Sequence, residues 1–314
     1  MRSIHIWRLA PCGLLLLFVG AWGWAGEPVV KGVGNSSANE NWPQQVVVTV
    51  GDVRTRIDGP KLWTLSGIEF QGTVMATEDS AYGSVLTIRN VGLLGTAHFL
   101  DVPGKPGQVE KEQVNHLQIV VDGKPVAPFK PMMTLAGQSF RLERTSRIRE
   151  MELETTISIQ GGVLSETASF RATGPIDLRV AYPWMYALAP EAKAYVFGDQ
   201  DGIRKRGRFL TDGKTATQVV SDVNWVAVFD PVSGKGSVCC LLEHPPKVET
   251  SFLLVDAPGI YRKVAAYSLV DTVVPEGFRG TYRSAVGFFN AGEGDWEERA
   301  VRRAAEIRAS LEVR

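Results

Sequence analysis

The residue types best suited to proton chemistry gather in one stretch, "EDSAYGSVLTIRNVGLLGTAHFLDVPG", residues 78–104. It carries Glu78, Asp79, Tyr82, Arg89, His98 and Asp101 among strand-like apolar residues. If the two strands of this stretch pair, a carboxylate, a phenol and an imidazole converge on one patch. Glu78, Tyr82 and His98 are then the candidate catalytic set: an acid, a base near neutrality, and Arg89 as a cation for a developing oxyanion. Residue types carry this reading, not a diagnostic spacing. A lone histidine beside apolar neighbours is also an ordinary core or edge residue.

Two further groups could bind rather than react. In "AYPWMYALAP", residues 181–190, Tyr182, Trp184 and Tyr186 alternate with small or apolar residues. Projecting from one face, three rings would suit the C–H faces of sugars, burying apolar area while hydroxyls stay bonded. A packed aromatic strand end is the alternative, with Pro183 marking an edge or bulge. In "GIRKRGRF", residues 202–209, Arg204, Lys205, Arg206 and Arg208 offer donors for a carboxylate or sulfate; a solvated loop would look the same. "FRLERTSRIRE" interleaves four more arginines with acids and reads as a salt-bridged exposed face.

Other chemistries lack their residues. Beyond the first 25 residues the only histidines are His98, His116 and His244, in no ligand spacing. "GDQDG" at 198–202 holds a fragment of a calcium loop without its downstream glutamate. No cofactor is expected, and calcium is the one metal left open. There is no G-x-S-x-G, no P-loop and no strand-linked G-x-G-x-x-G.

The elements that must position these groups are strands. "QVVVTV" opens a run of strand signals that continues almost to the end of the chain. Asp122-Gly123, Gly161-Gly162 and Asp212-Gly213 sit between apolar segments and read as tight hairpin turns. "NWVAVFDPVSGKGSVCCLL" reads as a hairpin with a longer loop. In "MELETTISI", Met151, Leu153, Ile157 and Ile159 share one face, while Glu152, Glu154, Thr156 and Ser158 share the other. That pattern belongs to an antiparallel sheet with one wet side. One helix is expected at about 295–311, capped by Asp295 with Glu298 in capping-box spacing. Trp296, Ala300, Ala304, Ile307 and Leu311 form its apolar stripe.

The amino terminus reads as an address. Arg2 and Arg8 precede the apolar "LAPCGLLLLFVGAWGWA", and Gly23 and Ala25 mark a cleavage before Gly26. Residues 1–25 are expected to be a signal peptide, 26–44 a flexible leader, and 45–314 one β domain. The protein is therefore expected to be exported, to the periplasm or beyond, with no transmembrane segment once the signal is removed. The chain has 34 basic and 34 acidic side chains. Removing Arg2 and Arg8 leaves 32 against 34, a charge of −2, which excludes a broad nucleic-acid footprint. Cys239 and Cys240 then remain, adjacent in a strand and so on opposite faces, and are expected as buried thiols.

The central run "SFRLERTSRIREMELETTISIQGGVLSETASFRATGPIDLRVAYPWMYAL" resembles the galactose-mutarotase-like supersandwich, over roughly residues 45–290. That superfamily includes aldose epimerases and the β domains of polysaccharide lyases and glycoside hydrolases. The resemblance rests on strand rhythm and size. It implies an all-β fold, a large antiparallel β-sandwich with a C-terminal helix, and a carbohydrate partner. It further implies an enzyme on a poly- or oligosaccharide, foremost a polysaccharide lyase acting by β-elimination on an anionic, uronate-containing glycan. In that scheme Arg204 or Arg206 neutralises the uronate, and His98 or Tyr82 moves the proton. An aldose mutarotase or epimerase, or a non-catalytic glycan-binding protein of the cell envelope, are the alternatives.

Overall fold

Alternating apolar and polar residues become strand after strand, and the strands assemble into two sheets. The computed structural model describes residues 41–77, 85–88, 92–95, 110–189, 191–246, 248–258 and 261–312, with backbone alone at 85–88, 92–95, 110–111, 261 and 311–312. Among these residues the first sheet has 14 strands and the second has 10, with one C-terminal helix, Trp296–Glu312. The fold is all-β.

The second sheet carries the longest strands and the helix. Its central strands, in hydrogen-bonded order, are Trp225–Asp230, Lys235–Glu243, Arg279–Asn290, Val163–Ala172, Met151–Gln160, Ser139–Ile148 and Gln113–Val121. Ala194–Asp199 and then Gly202–Arg208 form one edge. Two tight turns set its register. Asp122 and Gly123 have φ of 49° and 75°, and Gly161 and Gly162 have 59° and 72°. This left-handed backbone matches the strand twist in two-residue hairpins. Asp212-Gly213 behaves differently. The strand before it, Gly202–Arg208, pairs with Ala194–Asp199, and the strand after it, Ala216–Val220, pairs with Thr250–Ala257 in the first sheet. The expected hairpin is instead a crossing between sheets, because a turn dipeptide permits reversal without choosing the partner.

The inner faces of the sheets meet over a large apolar cluster that includes Val48, Ile57, Leu65, Leu142, Ile157, Phe197 and Val286. Each fully buried side chain of this size contributes about 1.5–3 kcal/mol. The helix covers part of the second sheet's outer face. Trp296 stacks on Phe229 with centroids 5.3 Å apart, and Ala300, Ala304 and Ile307 are buried beside Ala285 and Cys240. The expected stripe is therefore the docking face, while the side chain of Leu311 lies outside the described residues. The capping box does not form. The Asp295 carboxylate accepts from the Gly292 N–H and from Arg299, and Glu298 pairs with Arg302 along the helix. Nearby arginines compete successfully for both carboxylates.

Cys239 packs into the inter-sheet core and Cys240 under the helix. Both are free thiols, and burial pushes both pKa values up, that of Cys240 to about 12.

At the sheet edge the backbone must leave room for Trp225. Gly198 faces it in register, beside a bulge at Phe197–Gly198, and the indole N–H donates to the Asp199 carbonyl at 2.8 Å. A Cβ on Gly198 would lie 2.1 Å from the indole ring and 2.5 Å from the Gly202 carbonyl oxygen. Gly198→Ala is expected to destabilise the protein by about 1–3 kcal/mol, read as a lower urea midpoint at unchanged m-value. An unchanged midpoint would show that the ring has room to move.

Candidate functional site

The inner face of the second sheet is apolar at both ends and polar across its middle. On Ser139–Ile148, Arg144 and Ser146 lie between Leu142 and Ile148. Met151–Gln160 carries Thr155 between Leu153 and Ile157. Val163–Ala172 carries Glu166 between Leu164 and Ala168, and Arg279–Asn290 carries Ser284 between Tyr282 and Val286. All five polar residues are buried. The register makes them neighbours, with Arg144 opposite Thr155 and Glu166 opposite Ser284. The resulting belt divides the inter-sheet cluster containing Leu142, Ile157, Leu164 and Val286 from a second one containing Ile148, Leu153, Ala168 and Tyr282.

Glu112 joins the belt from the neighbouring strand. Gln113–Val121 pairs with Ser139–Ile148 through an irregularity: Thr145 faces His116, and Ser146 faces Val114. Asn115 is the extra residue, and such a bulge re-aims the chain beside it. Ser146 donates its hydroxyl to Glu112 Oε1, and Arg144 Nη2 lies 3.5 Å from the same oxygen. Both charged side chains are 1% exposed. Arg144 Nη1 donates to the Leu62 carbonyl.

That carbonyl is aimed by unusual backbone. Leu62 and Trp63 both have positive φ, 58° and 54°. Side chains with a Cβ adopt this region at a cost of about 1–3 kcal/mol each, and such residues cluster at functional sites. The Trp63 indole, donating to the Pro43 carbonyl at 2.7 Å, fastens the turn.

The belt is also incompletely bonded. Glu112 Oε2, Arg144 Nε and Ser284 Oγ are buried without a hydrogen-bond partner. Each such atom costs about 1–3 kcal/mol, so the belt is held at a cost to stability. Glu166 is 4% exposed. Burial pushes its carboxyl from the ordinary 4.5 up to about 7, with Arg144 pulling the other way and Glu112 adding to the rise. An acid near neutrality, a second carboxylate and a guanidinium are thus held together, the combination that separates proton donor from acceptor.

The residues expected from sequence fall elsewhere. Glu78, Tyr82 and His98, with Asp79, Arg89 and Asp101, lie outside the described residues. Trp184 and Tyr186 are 1% and 2% exposed, with rings 5.2 Å apart, and Trp184 meets Phe252 edge-on. Tyr182 belongs to a different cluster, with Met185 and Tyr267. The strand breaks between Tyr182 and Met185, so the alternation does not carry across Pro183 and the three rings share no face. Arg204 is tied to Asp199 at 2.6 Å and Asp201 at 2.7 Å, and Arg206 to Glu297 at 2.8 Å. The two aspartates of "GDQDG" therefore serve a turn and its arginine.

"FRLERTSRIRE" is exposed at Arg141 and Arg147, but Arg144 is buried, a correction to its reading as an exposed face. The missed signal is a break in period two. Thr155, Arg144 and Glu166 interrupt apolar faces at positions that the hairpins make directly opposite (Arg144 and Thr155) or diagonal (Thr155 and Glu166) neighbours.

No protein-family model matches the sequence, and no curated protein matches it significantly. Solved structures of similar fold include a galactose mutarotase-like protein from Lactobacillus casei ATCC 334, with TM-score 0.46, 8% identity, 78% of this chain and 100% of that one. A galactose mutarotase related enzyme from Lactobacillus acidophilus gives TM-score 0.45, 8% identity, 79% and 98%. The GH36 alpha-galactosidase AgaA from Geobacillus stearothermophilus gives 0.46, 10% identity and 79%, the match spanning 41% of its chain. At such scores and identities they assign no activity.

Glu166 gives the site a pH signature. Between pH 4.5 and about 7 the folded protein keeps a proton that the unfolded chain releases. Stability from this group therefore falls as pH rises through that window, and is level above it. Glu166→Gln, which cannot ionise, is expected to remove a slope on the order of 3 kcal/mol, seen in denaturation midpoints at pH 5 and 8. Parallel profiles for the two proteins would place the Glu166 carboxyl in contact with water.

Proposed function

We propose that this chain is an exported carbohydrate-active protein, an enzyme that moves protons on an aldose within the sandwich. The observation carrying this reading is the belt: Glu166, Glu112 and Arg144 held in apolar surroundings with three polar atoms still lacking partners. A sugar offers both donors and acceptors to such atoms. Export rests on Arg2, Arg8, the apolar run after them and the Gly23-x-Ala25 site.

In mutarotation, Glu112 takes the proton from the anomeric hydroxyl while Glu166 donates its proton to the ring oxygen. The C1–O5 bond breaks with its electron pair passing to O5, and a C1 carbonyl forms. Rotation about C1–C2 and the reverse transfers close the other anomer. Arg144 steadies the negative charge as it passes from Glu112 to Glu166 in the first step and back in the second. Substrate must reach side chains only 1–4% exposed, so opening of the sandwich is part of turnover.

This reading is preferred to β-elimination on a uronate, because Arg204 and Arg206 are already held by carboxylates far along the sheet edge. Arg144 is the guanidinium placed near proton-transfer groups.

The test is polarimetry on freshly dissolved aldopentoses and aldohexoses. The protein is expected to accelerate anomer interconversion, and Glu166→Gln to lower kcat by about 10²–10⁴-fold while remaining folded. Failure to accelerate any aldose, or an unchanged rate in the folded variant, would overturn the assignment.

A further inference from the structure

Away from the belt the molecule has a small cleft beside charged groups. Near the strands Thr73–Ala76 of the first sheet and Trp225–Asp230 of the second, a cleft of about 140 Å³ opens.

Two stitches keep its walls apart at a set distance. On one side Lys235, from the second sheet, donates to the Phe70 and Gln71 carbonyls at 3.3 and 3.1 Å and to Thr73 Oγ1 at 2.6 Å. On the other, Ala189 donates to the Met75 carbonyl at 3.2 Å and Lys193 to the Phe229 carbonyl at 2.9 Å. The cleft is therefore bounded by groups already held in hydrogen bonds.

Its lining selects a chemistry. Val74, Ala192 and Val228 supply apolar wall, and Glu191, Asp230 and Lys235 the charges. The three N–H bonds of Lys235 already have three acceptors, so the ammonium offers little to an incoming anion. Asp230 accepts from the Val232 and Ser233 N–H groups and the Ser233 side chain, and also feels the charge of Lys193; its carboxylate still has acceptor capacity. The groups that remain available are acceptor-rich and lie beside hydrocarbon.

We infer that this cleft is a sugar subsite for one non-anionic residue, packing C–H groups on Val74, Ala192 and Val228 and directing hydroxyl or ammonium donors at Glu191 and Asp230. The ligand class rests on the carbohydrate reading of the belt. The subsite itself does not depend on the belt, and it would hold glycan rather than react with it.

Glucosamine, glucose and glucuronate probe it, since they share a ring and differ in charge. Amide NMR of the full chain is expected to show shifts at Ala189, Ala192 and Ser233 in the order glucosamine, glucose, glucuronate. The cation should bind about ten-fold tighter than the anion. Glu191→Gln should weaken glucosamine about five-fold, and Val74→Lys, which sets an ammonium against the same carboxylates, should weaken it further. Neither variant should alter polarimetric turnover. Glucuronate binding best, or shifts absent at those amides with all three probes, would overturn the subsite. Loss of turnover in Glu166→Gln with these shifts retained would separate the two sites, and binding here without any turnover would defeat the belt assignment alone.

Discussion

The rest of the structure depends on keeping a guanidinium and two carboxylates out of water in the middle of a β-sandwich. Moving an ion from water to protein interior costs several kcal/mol even after relaxation. Arg144 meets part of that cost through Glu112 and the Leu62 carbonyl. The second of these interactions requires Leu62 and Trp63 to keep left-handed backbone, and the first requires the bulge at Asn115. Two local irregularities in different sheets thus answer to one buried charge.

The same constraint explains why the interior contains two apolar clusters instead of one. Four adjacent strands of the second sheet, from Ser139–Ile148 to Arg279–Asn290, each run from an apolar residue through a polar one to a second apolar residue. The register sets Arg144 opposite Thr155 and Glu166 opposite Ser284, with Thr155 and Glu166 one step apart on the diagonal. An apolar belt of the same volume would pack at least as stably, since replacing buried ion pairs by hydrocarbon is often neutral or favourable. Polar side chains on four successive strands therefore call for a reason other than stability, and the proposed proton transfer would be one.

Much of the architecture is legible in the sequence because it depends on local chemistry. Strand alternation, the Asp122-Gly123 and Gly161-Gly162 turns and the Trp296–Ile307 stripe each arise from residues close in sequence. The features that escape a sequence reading depend on partners distant along the chain. Asp212-Gly213 looks like any hairpin turn until the strands on either side pair in different sheets. Trp184 and Tyr186 look like a binding platform until Phe252 arrives from another strand. Arg144 looks like its exposed neighbours, because a single charge inside a charge-rich run shows its burial only when Thr155 and Glu166 line up beside it.

Burial, not residue type, distinguishes the arginines of this chain. Arg204 is half exposed and meets Asp199 and Asp201 in water, where such a pair contributes about 0–1 kcal/mol and is weakened by salt. Arg144 meets Glu112 where both are 1% exposed, and water no longer screens the interaction. In that second setting burial moves Glu166 toward neutrality, and the unscreened charge of Arg144 pulls against the rise. The exposed arginines can hold an edge or a turn; the buried one can set the proton affinity of a neighbour. For that reason the proposed proton transfer rests on the inner face of the second sheet and not on the surface charges.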